Sequence, residues 1–314
     1  MHVAADRPLE DADRERIAQA ADQINGIILG KTRQVRLSLS CLLAKGHLLI
    51  EDIPGVGKTT LAHALAGSLG LSYQRIQFTS DLLPADVVGV SVFERDANAF
   101  RFHRGPIFAQ LILADEVNRA TPKAQSALLE AMEERQVTAD GETHPLPEPF
   151  FVVATQNPDN QIGTFPLPES QLDRFLMRIH LGYPDADLER RLLQGEDRRE
   201  LLGALRPVAD PDMLKRLQAR VPEVHASEAL LDYLQALMIY TREHGEFDSG
   251  LSPRAGIGLL RAAQAWALLD GRDAVVPEDV QAVVPAVVGH RLRASANGQP
   301  EAAGELLIEA VPVP

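Results

Sequence analysis

Residues 52–60 read D-I-P-G-V-G-K-T-T and follow directly on the apolar run Leu48-Leu49-Ile50. A strand, a glycine-rich loop and the start of a helix, in that order, turn backbone into a phosphate receptor. The first amides of a helix lack partners within it and carry partial positive charge. Gly55 and Gly57 let the chain pass close to an anion without a Cβ in the way. Lys58 is placed to reach the β- and γ-phosphates of a nucleoside triphosphate, and the Thr59 hydroxyl to bind Mg²⁺. The usual pattern, G-x-x-x-x-G-K-S/T, begins with a glycine that is here Asp52. Read alone, the stretch also fits a glycine-rich turn followed by a surface lysine.

A second stretch narrows the choice. Leu111-Ile112-Leu113-Ala114 ends in Asp115-Glu116. A short apolar run bounded by polar residues suits a strand buried on both faces of a parallel sheet. Carboxylates at the C-terminal edge of such a strand sit where open α/β sheets bind ligands. Asp115 can hold Mg²⁺ directly or through a water, and Glu116 can polarise an attacking water. A third strand candidate, 150–155, runs into Thr155-Gln156-Asn157. Asn157 could hydrogen-bond that water or the γ-phosphate, or Asn157-Pro158 could simply start a turn.

The 314 residues suffice for one large or two modest domains, and 45% hydrophobic content allows a real core. The net charge of −13 argues against a general DNA-binding surface, which needs basic patches to release phosphate counterions. The single cysteine, Cys41, excludes an internal disulfide and reads as a buried structural thiol. No apolar run is long enough for a membrane helix, and the N-terminus has neither the basic start nor the apolar stretch of a signal peptide. A soluble, cytoplasmic protein without membrane insertion is expected.

Residues 1–13 read as disordered and 14–183 as an α/β nucleotide-binding core. Within it, 14–45 suggests two helices, and strand candidates lie at 47–51, 73–78, 111–115, 150–155 and 175–181, separated by helical segments as βαβ units require. Helices are expected at 58–69 and 121–134. Two hairpins interrupt this pattern, at 88–104, turning near Asp96-Ala97-Asn98, and at 135–150, turning at Asp140-Gly141. Hairpins within an α/β domain are either inert decoration or tools that touch a partner. Residues 184–295 read as helices only, at 187–204, 210–220, 227–244, 253–270 and 277–292, with Ser227 capping the third. Residues 296–314 read as a tail.

Two arginines draw attention. A guanidinium matches the charge that spreads over the γ-phosphoryl oxygens during hydrolysis and can contribute ~10³–10⁵ in rate. Arg174, in Q-L-D-R-F, lies at the start of the last strand, on the sheet edge away from the ligand side. It is better placed to serve a neighbouring subunit than its own nucleotide. Arg254 follows Ser252-Pro253, in the first turn of a helix, where a cation opposes the helix dipole unless an anion is near. Either could be an ordinary surface arginine, and Arg119 is a weaker third candidate. His63, His103, His144 and His290 show no metal-ligand spacing.

Taken together these segments resemble the MoxR family of AAA+ ATPases over about residues 14–293. They are E-D-I-P-G-V-G-K-T-T-L-A at 51–62, R-I-Q-F-T-S-D-L-L-P-A-D-V-V-G at 75–89 and G-P-I-F at 105–108. They continue with A-D-E-V-N-R-A-T-P-K-A-Q-S-A-L-L-E-A-M-E-E-R-Q-V-T at 114–138, A-T-Q-N-P at 154–158, F-P-L-P-E-S-Q-L-D-R-F at 165–175 and L-S-P-R-A at 251–255. The resemblance implies an AAA+ P-loop core with a parallel five-stranded sheet, two hairpin inserts and an all-α lid. It makes Lys58 and Thr59 the Walker A lysine and hydroxyl, and Asp115 and Glu116 the Walker B pair. Asn157 becomes sensor 1, Arg174 the arginine finger, and Arg254 the sensor 2 arginine, acting in cis or in trans. Asp52, Pro54, Gly55, Val56, Gly57, Lys58, Thr59, Thr60 and Asp115 are the expected nucleotide contacts, with Thr59 and Asp115 on the metal.

The expected cofactors are ATP and Mg²⁺. The expected activity is ATP hydrolysis by a homo-oligomeric ring, a hexamer, acting as chaperone on a protein client such as one with a von Willebrand factor A domain. The alternatives are an ATP-dependent assembly switch without turnover, or a DNA-translocating motor using Arg95, Arg101, His103 and Arg104 on the first hairpin. Overall charge disfavours the motor.

Overall fold

The computed structural model describes residues 7–96, 98–139, 141–157, 164–193, 198–292 and 302–313. Helices α1 (Arg7–Ile27) and α2 (Thr32–Leu43) lead into β1 (Leu48–Glu51), and α3 (Lys58–Leu69) leads on to β2 (Tyr73–Gln77). The short α4 (Pro84–Val88) and the hairpin of β3 (Gly89–Glu94) and β4 (Ala99–Arg104) precede β5 (Leu111–Asp115). Next come α5 (Pro122–Glu134), the hairpin of β6 (Gln136–Ala139) and β7 (Glu142–Pro145), β8 (Phe151–Gln156), α6 (Glu169–Leu172) and β9 (Met177–Ile179). The lid follows as α7 (Ala186–Leu193), α8 (Arg198–Ala204), α9 (Pro211–Arg220), α10 (Glu228–Glu243), α11 (Pro253–Leu269), α12 (Pro277–Val288) and α13 (Ala302–Ala310).

The five central strands are all parallel, in the order β2-β5-β8-β1-β9. Successive residues of a strand point to opposite faces, and the burial follows that period. Leu48, Ile50, Leu111, Leu113, Phe151 and Val153 share a core with α1, α2, α3 and the lid helices. Leu49, Ile112, Ala114, Val152 and Ala154 pack with Ala124, Leu128 and Met132 of α5 on the other side. Each fully buried aliphatic side chain contributes about 1.5–3 kcal/mol. The order also sets the chemistry. β8 lies between β1, which feeds the phosphate loop, and β5, which carries the carboxylates.

The lid is not a separate globule. Helix α11 packs on α2 and α12 on β9, so its apolar stripes complete one face of the sheet. Both hairpins form where the sequence expects them. The side chain of Ser227 accepts from the Leu230 amide at 3.2 Å, and that of Ser252 from the Ala255 amide at 3.1 Å. No described helix is long and apolar enough to cross a membrane.

Three boundaries differ from expectation. Disorder through residue 13 is corrected: α1 begins at Arg7, and buried Asp13 accepts two bonds from Arg216 of α9, at 2.7 and 2.8 Å. Residues 1–6 lie outside the described residues. The tail from 296 is corrected by α13, whose Ala303, Gly304 and Leu307 are buried. Small residues there allow close approach, since a Cβ on Gly304 would collide with Pro285 of α12. The single helix expected at 187–204 is described as α7 and α8, with 194–197 outside the described residues.

Candidate active site

The loop between β1 and α3 opens onto a cleft of about 290 Å³ lined by Pro54, Gly55, Gly57, Lys58, Thr59, Thr60, Asp115, Glu116 and Asn157. Gly55 and Gly57 have φ of +88° and +101°, a region that favours glycine, and nothing lies within 4 Å of where a Cβ would stand. The loop therefore presents an open cradle at the N-terminus of α3. Lys58, only 8% exposed, donates from Nζ to the carbonyl oxygen of Asp52 and to Oδ1 of Asn157, the latter at 3.2 Å. Burial pushes its ammonium below the usual lysine range, while Asp52, Asp115, Glu116 and Glu51 pull it back up. A polyphosphate would supply the anionic partner that this buried cation faces.

Glu116 stands at the end of β5 with φ of +57°, rare for a residue with a side chain and common where function holds the backbone under strain. Its amide donates to Thr155 Oγ1 at 2.8 Å, and that hydroxyl donates to Asp115 Oδ1 at 2.6 Å. Asn157 bridges the two halves: Oδ1 accepts from Lys58 and Nδ2 donates to Glu116 Oε1 at 3.4 Å. Asn118 donates to the Asn157 carbonyl at 3.2 Å and fixes this corner. Thr59 and Asp115 supply hard oxygen donors to one cleft. Among the described residues no cluster of three or more His, Cys, Asp or Glu forms a metal cage. That donor set fits Mg²⁺, which is commonly held by one or two protein groups plus substrate phosphates.

The Val56 side chain packs against the hydrophobic core. The Asp52 carboxylate accepts the Ile53 amide at 2.8 Å and the Leu181 and Gly182 amides at 2.6 Å each. Other groups at the site escaped sequence reading. Arg75 binds Asp115 Oδ2 at 2.6 Å, and Gln77 donates to Glu116 Oε2 at 2.9 Å. Arg75 and Gln77 are two residues apart on β2, hence on one face, beside the strand that carries the carboxylates. Polar residues at that spacing on the neighbouring strand are the signal that could have found them.

Arg174 and Arg254 lie together, away from this cleft. Both line a second cleft of about 270 Å³ with Lys45, His47, Glu133, Arg135 and Arg291, among others. Lys45 and His47 immediately precede β1, so this cleft occupies the N-terminal edge of the sheet. Arg174 donates to the Leu129 carbonyl at 2.7 Å and also lines a larger cleft, of about 520 Å³, along α5 and β6. Arg254 pairs with Glu133 at 2.6 Å, which is the anion its place in the first turn of α11 calls for. That hydrogen bond, with the nearby charges of Arg254 and Arg174, holds the Glu133 carboxyl below its usual range.

Residues 47–177 match the sequence profile of the ATPase family associated with various cellular activities (AAA), and 239–310 match that of an AAA lid domain. The YeaC protein of Bacillus subtilis, itself uncharacterised, is 46% identical over 95% of both chains. Chaperone MoxR1 of Mycobacterium tuberculosis is 40% identical over 90% of this chain and 76% of its own. A crystal structure from Cytophaga hutchinsonii assigned to an ATPase superposes with a TM-score of 0.89. It is 34% identical and covers 100% of this chain and 99% of its own.

Proposed function

Because this chain belongs to the MoxR family of AAA+ ATPases, we propose that it hydrolyses Mg²⁺–ATP as a homo-oligomeric ring, a hexamer, and works as a chaperone on a protein client. The observation that supports this best is the hydrogen-bonded chain Lys58–Asn157–Glu116 across one phosphate-sized cleft. In this reading Lys58 and the loop amides grip the triphosphate, and Thr59 and Asp115 hold Mg²⁺. Mg²⁺ held there would supply charge neutralisation to the triphosphate. Glu116 orients a water and takes its proton as the oxygen attacks the γ-phosphorus. The bond from that phosphorus to the β–γ bridging oxygen breaks, giving ADP and phosphate. Asn157 fixes the water.

Arg174 and Arg254 serve the neighbouring subunit's site, because both sit at the edge opposite their own phosphate loop. The hairpin of β3 and β4 carries exposed Val90, Val92, Phe93 and Phe100, with the two rings edge to face at 5.3 Å. Val90 and Val92 lie on one face of the hairpin and Phe93 and Phe100 on the other, and exposed apolar groups of this kind suit an unfolded or partly folded protein segment. The family resemblance suggests a client with a von Willebrand factor A domain. The name of the mycobacterial relative supports the chaperone role.

The test is phosphate release from Mg²⁺–ATP per subunit against protein concentration, with sedimentation run alongside. A specific rate that climbs as the protein assembles is expected. Nucleotide binding with a Glu116→Gln variant as functional as the parent would favour the assembly switch, and a flat rate from sedimenting monomers would refute the shared site.

A further inference from the structure

Glu51 and Asp52 form an acidic pair immediately ahead of the phosphate loop, in a place where negative charge opposes phosphate binding. Asp52 is 8% exposed, and its carboxylate is fully engaged. Oδ1 accepts the Ile53 amide at 2.8 Å, and Oδ2 accepts the Leu181 and Gly182 amides at 2.6 Å each. Those last two residues belong to the connector between β9 and α7, the segment by which the chain leaves the sheet for the lid. A glycine at position 52 would serve a phosphate loop but would leave both connector amides without this acceptor.

The same residue faces the nucleotide through its main chain. The Asp52 carbonyl accepts from the Lys58 ammonium, which a triphosphate would draw to itself. Asp52 therefore carries the lysine on its carbonyl and the lid connector on its carboxylate. The connector has little freedom to absorb a shift. Gln34 of α2 donates to the His180 carbonyl at 3.2 Å and Lys31, just ahead of α2, to the Tyr183 carbonyl at 3.0 Å, so the connector is held on either side of the Asp52 contact. Gly182, at φ of +62°, is the one bend between these anchors.

Glu51 makes a parallel link. It pairs with Arg178 of β9 at 2.8 Å, with side-chain exposures of only 15% and 11%. Arg178 in turn donates to the Gly289 carbonyl at the end of α12, at 2.6 Å. Two consecutive acidic residues thus tie the start of the phosphate loop to the lid connector and, through Arg178, to the end of α12.

We propose that Asp52 is a positioning residue for ATP hydrolysis, transmitting the state of the phosphate loop to the lid through the Leu181 and Gly182 amides. The proposal rests on the ATPase reading above. When the triphosphate takes Lys58 from the Asp52 carbonyl, the peptide at Asp52 re-orients and its carboxylate carries the connector with it. Lid position, and with it Arg254, then follows nucleotide state.

The experiment is amide hydrogen exchange across residues 180–184, with and without Mg²⁺–ATPγS, in the parent and in Asp52→Gly, alongside nucleotide Kd and steady-state kcat. In the parent, nucleotide is expected to change exchange at Leu181 and Gly182. In Asp52→Gly these amides exchange at least about tenfold faster and no longer respond to nucleotide. Its Kd stays within about threefold of the parent while kcat falls about tenfold or more. Asp52→Asn keeps one carbonyl oxygen for the connector but turns an amide towards the Ile53 N–H, so it recovers part of kcat. If Asp52→Gly does not fold, the parent's exchange and the Asp52→Asn kinetics decide. A parent that hydrolyses ATP with nucleotide-insensitive 180–184 amides overturns the coupling and leaves the ATPase reading standing. So does an Asp52→Gly variant with parental kcat. A parent that neither binds nor hydrolyses Mg²⁺–ATP overturns both.

Discussion

Mild acid should destabilise this protein through His47. The ring is 4% exposed beneath the cleft that holds Arg174 and Arg254. Its Nδ1 accepts the Val152 amide at 3.0 Å, so the proton of the neutral ring sits on Nε2, which faces the Met132 carbonyl at 3.3 Å. A second proton, on Nδ1, would confront the Val152 N–H. Burial, helped by the Arg135 charge and partly offset by the Met132 carbonyl and Glu133, lowers its pKa from 6.5 to about 4. The sign follows directly. The unfolded chain takes up the proton first, so stability is full above the unfolded pKa and falls as pH drops towards the folded one. With those two values the loss is about 2 kcal/mol at pH 5 and approaches about 3 kcal/mol at still lower pH. The assay is urea unfolding at pH 7.5 and 5.0, at constant ionic strength, for the parent and His47→Asn. Asparagine keeps an oxygen for the Val152 amide and does not titrate. Buried His290, whose pKa also lies well below its ordinary value because of burial, is present in both proteins and cancels in the comparison. The parent should lose about 2 kcal/mol more than the variant between the two pH values. Parallel losses would refute the reasoning.

Two further outcomes are expected at the two edges of the sheet. Arg254→Ala should change stability by no more than about 0.5 kcal/mol, because its pair with Glu133 is half exposed. It should nonetheless lower turnover about 10²-fold, and mixing it with Lys58→Ala, itself inactive, should restore part of the phosphate release. Failure of the mixture to recover would argue against sites shared between subunits. Arg75→Ala removes the cation that occupies the Asp115 carboxylate, so the Mg²⁺ concentration for half-maximal turnover should fall severalfold. An unchanged or higher requirement would show that Arg75 and the metal do not compete.

The sheet was legible because strands buried on both faces read as unbroken apolar runs, and each ends in the polar residues that its C-terminal edge presents. The hairpins and the serine caps of α10 and α11 were legible because turn and cap chemistry is local. What stayed hidden depends on partners far along the chain. Asp13 fell in a stretch that read as disordered, because its partner Arg216 lies 203 residues on. Helix α13 read as a tail because alanine and glycine suit flexible chain, yet the same small side chains let it dock on α12. Asp52 looked like a variant phosphate-loop residue because nothing local reveals that Leu181 and Gly182 return to it. Glu133 carried no signal at all until α11 brought Arg254 alongside.

Helix α5 separates the phosphate cleft from the cleft that holds Arg174 and Arg254. Just ahead of its N-terminus lies the turn that follows Glu116, held by Gln125, whose amide donates to the Val117 and Ala120 carbonyls at 3.1 Å. Its last turns carry the Leu129 carbonyl that holds Arg174 and the Glu133 carboxylate that holds Arg254. From Pro122 to Glu133 the helix rises roughly 16 Å, away from the turn that follows Glu116. Arg174 and Arg254 are anchored at its far end, away from their own phosphate cleft. In the proposed ring the same rigidity becomes useful. A change at Glu116 in one subunit is carried by a packed helix to the arginines offered to the next, so neighbouring sites are coupled without any new contact having to form. The coupling predicts cooperative dependence of turnover on ATP. Cooperativity should disappear in Gln125→Ala, which frees the turn after Glu116 while leaving every phosphate contact intact. A Gln125→Ala variant with parental cooperativity would show that α5 is a spacer rather than a connecting strut.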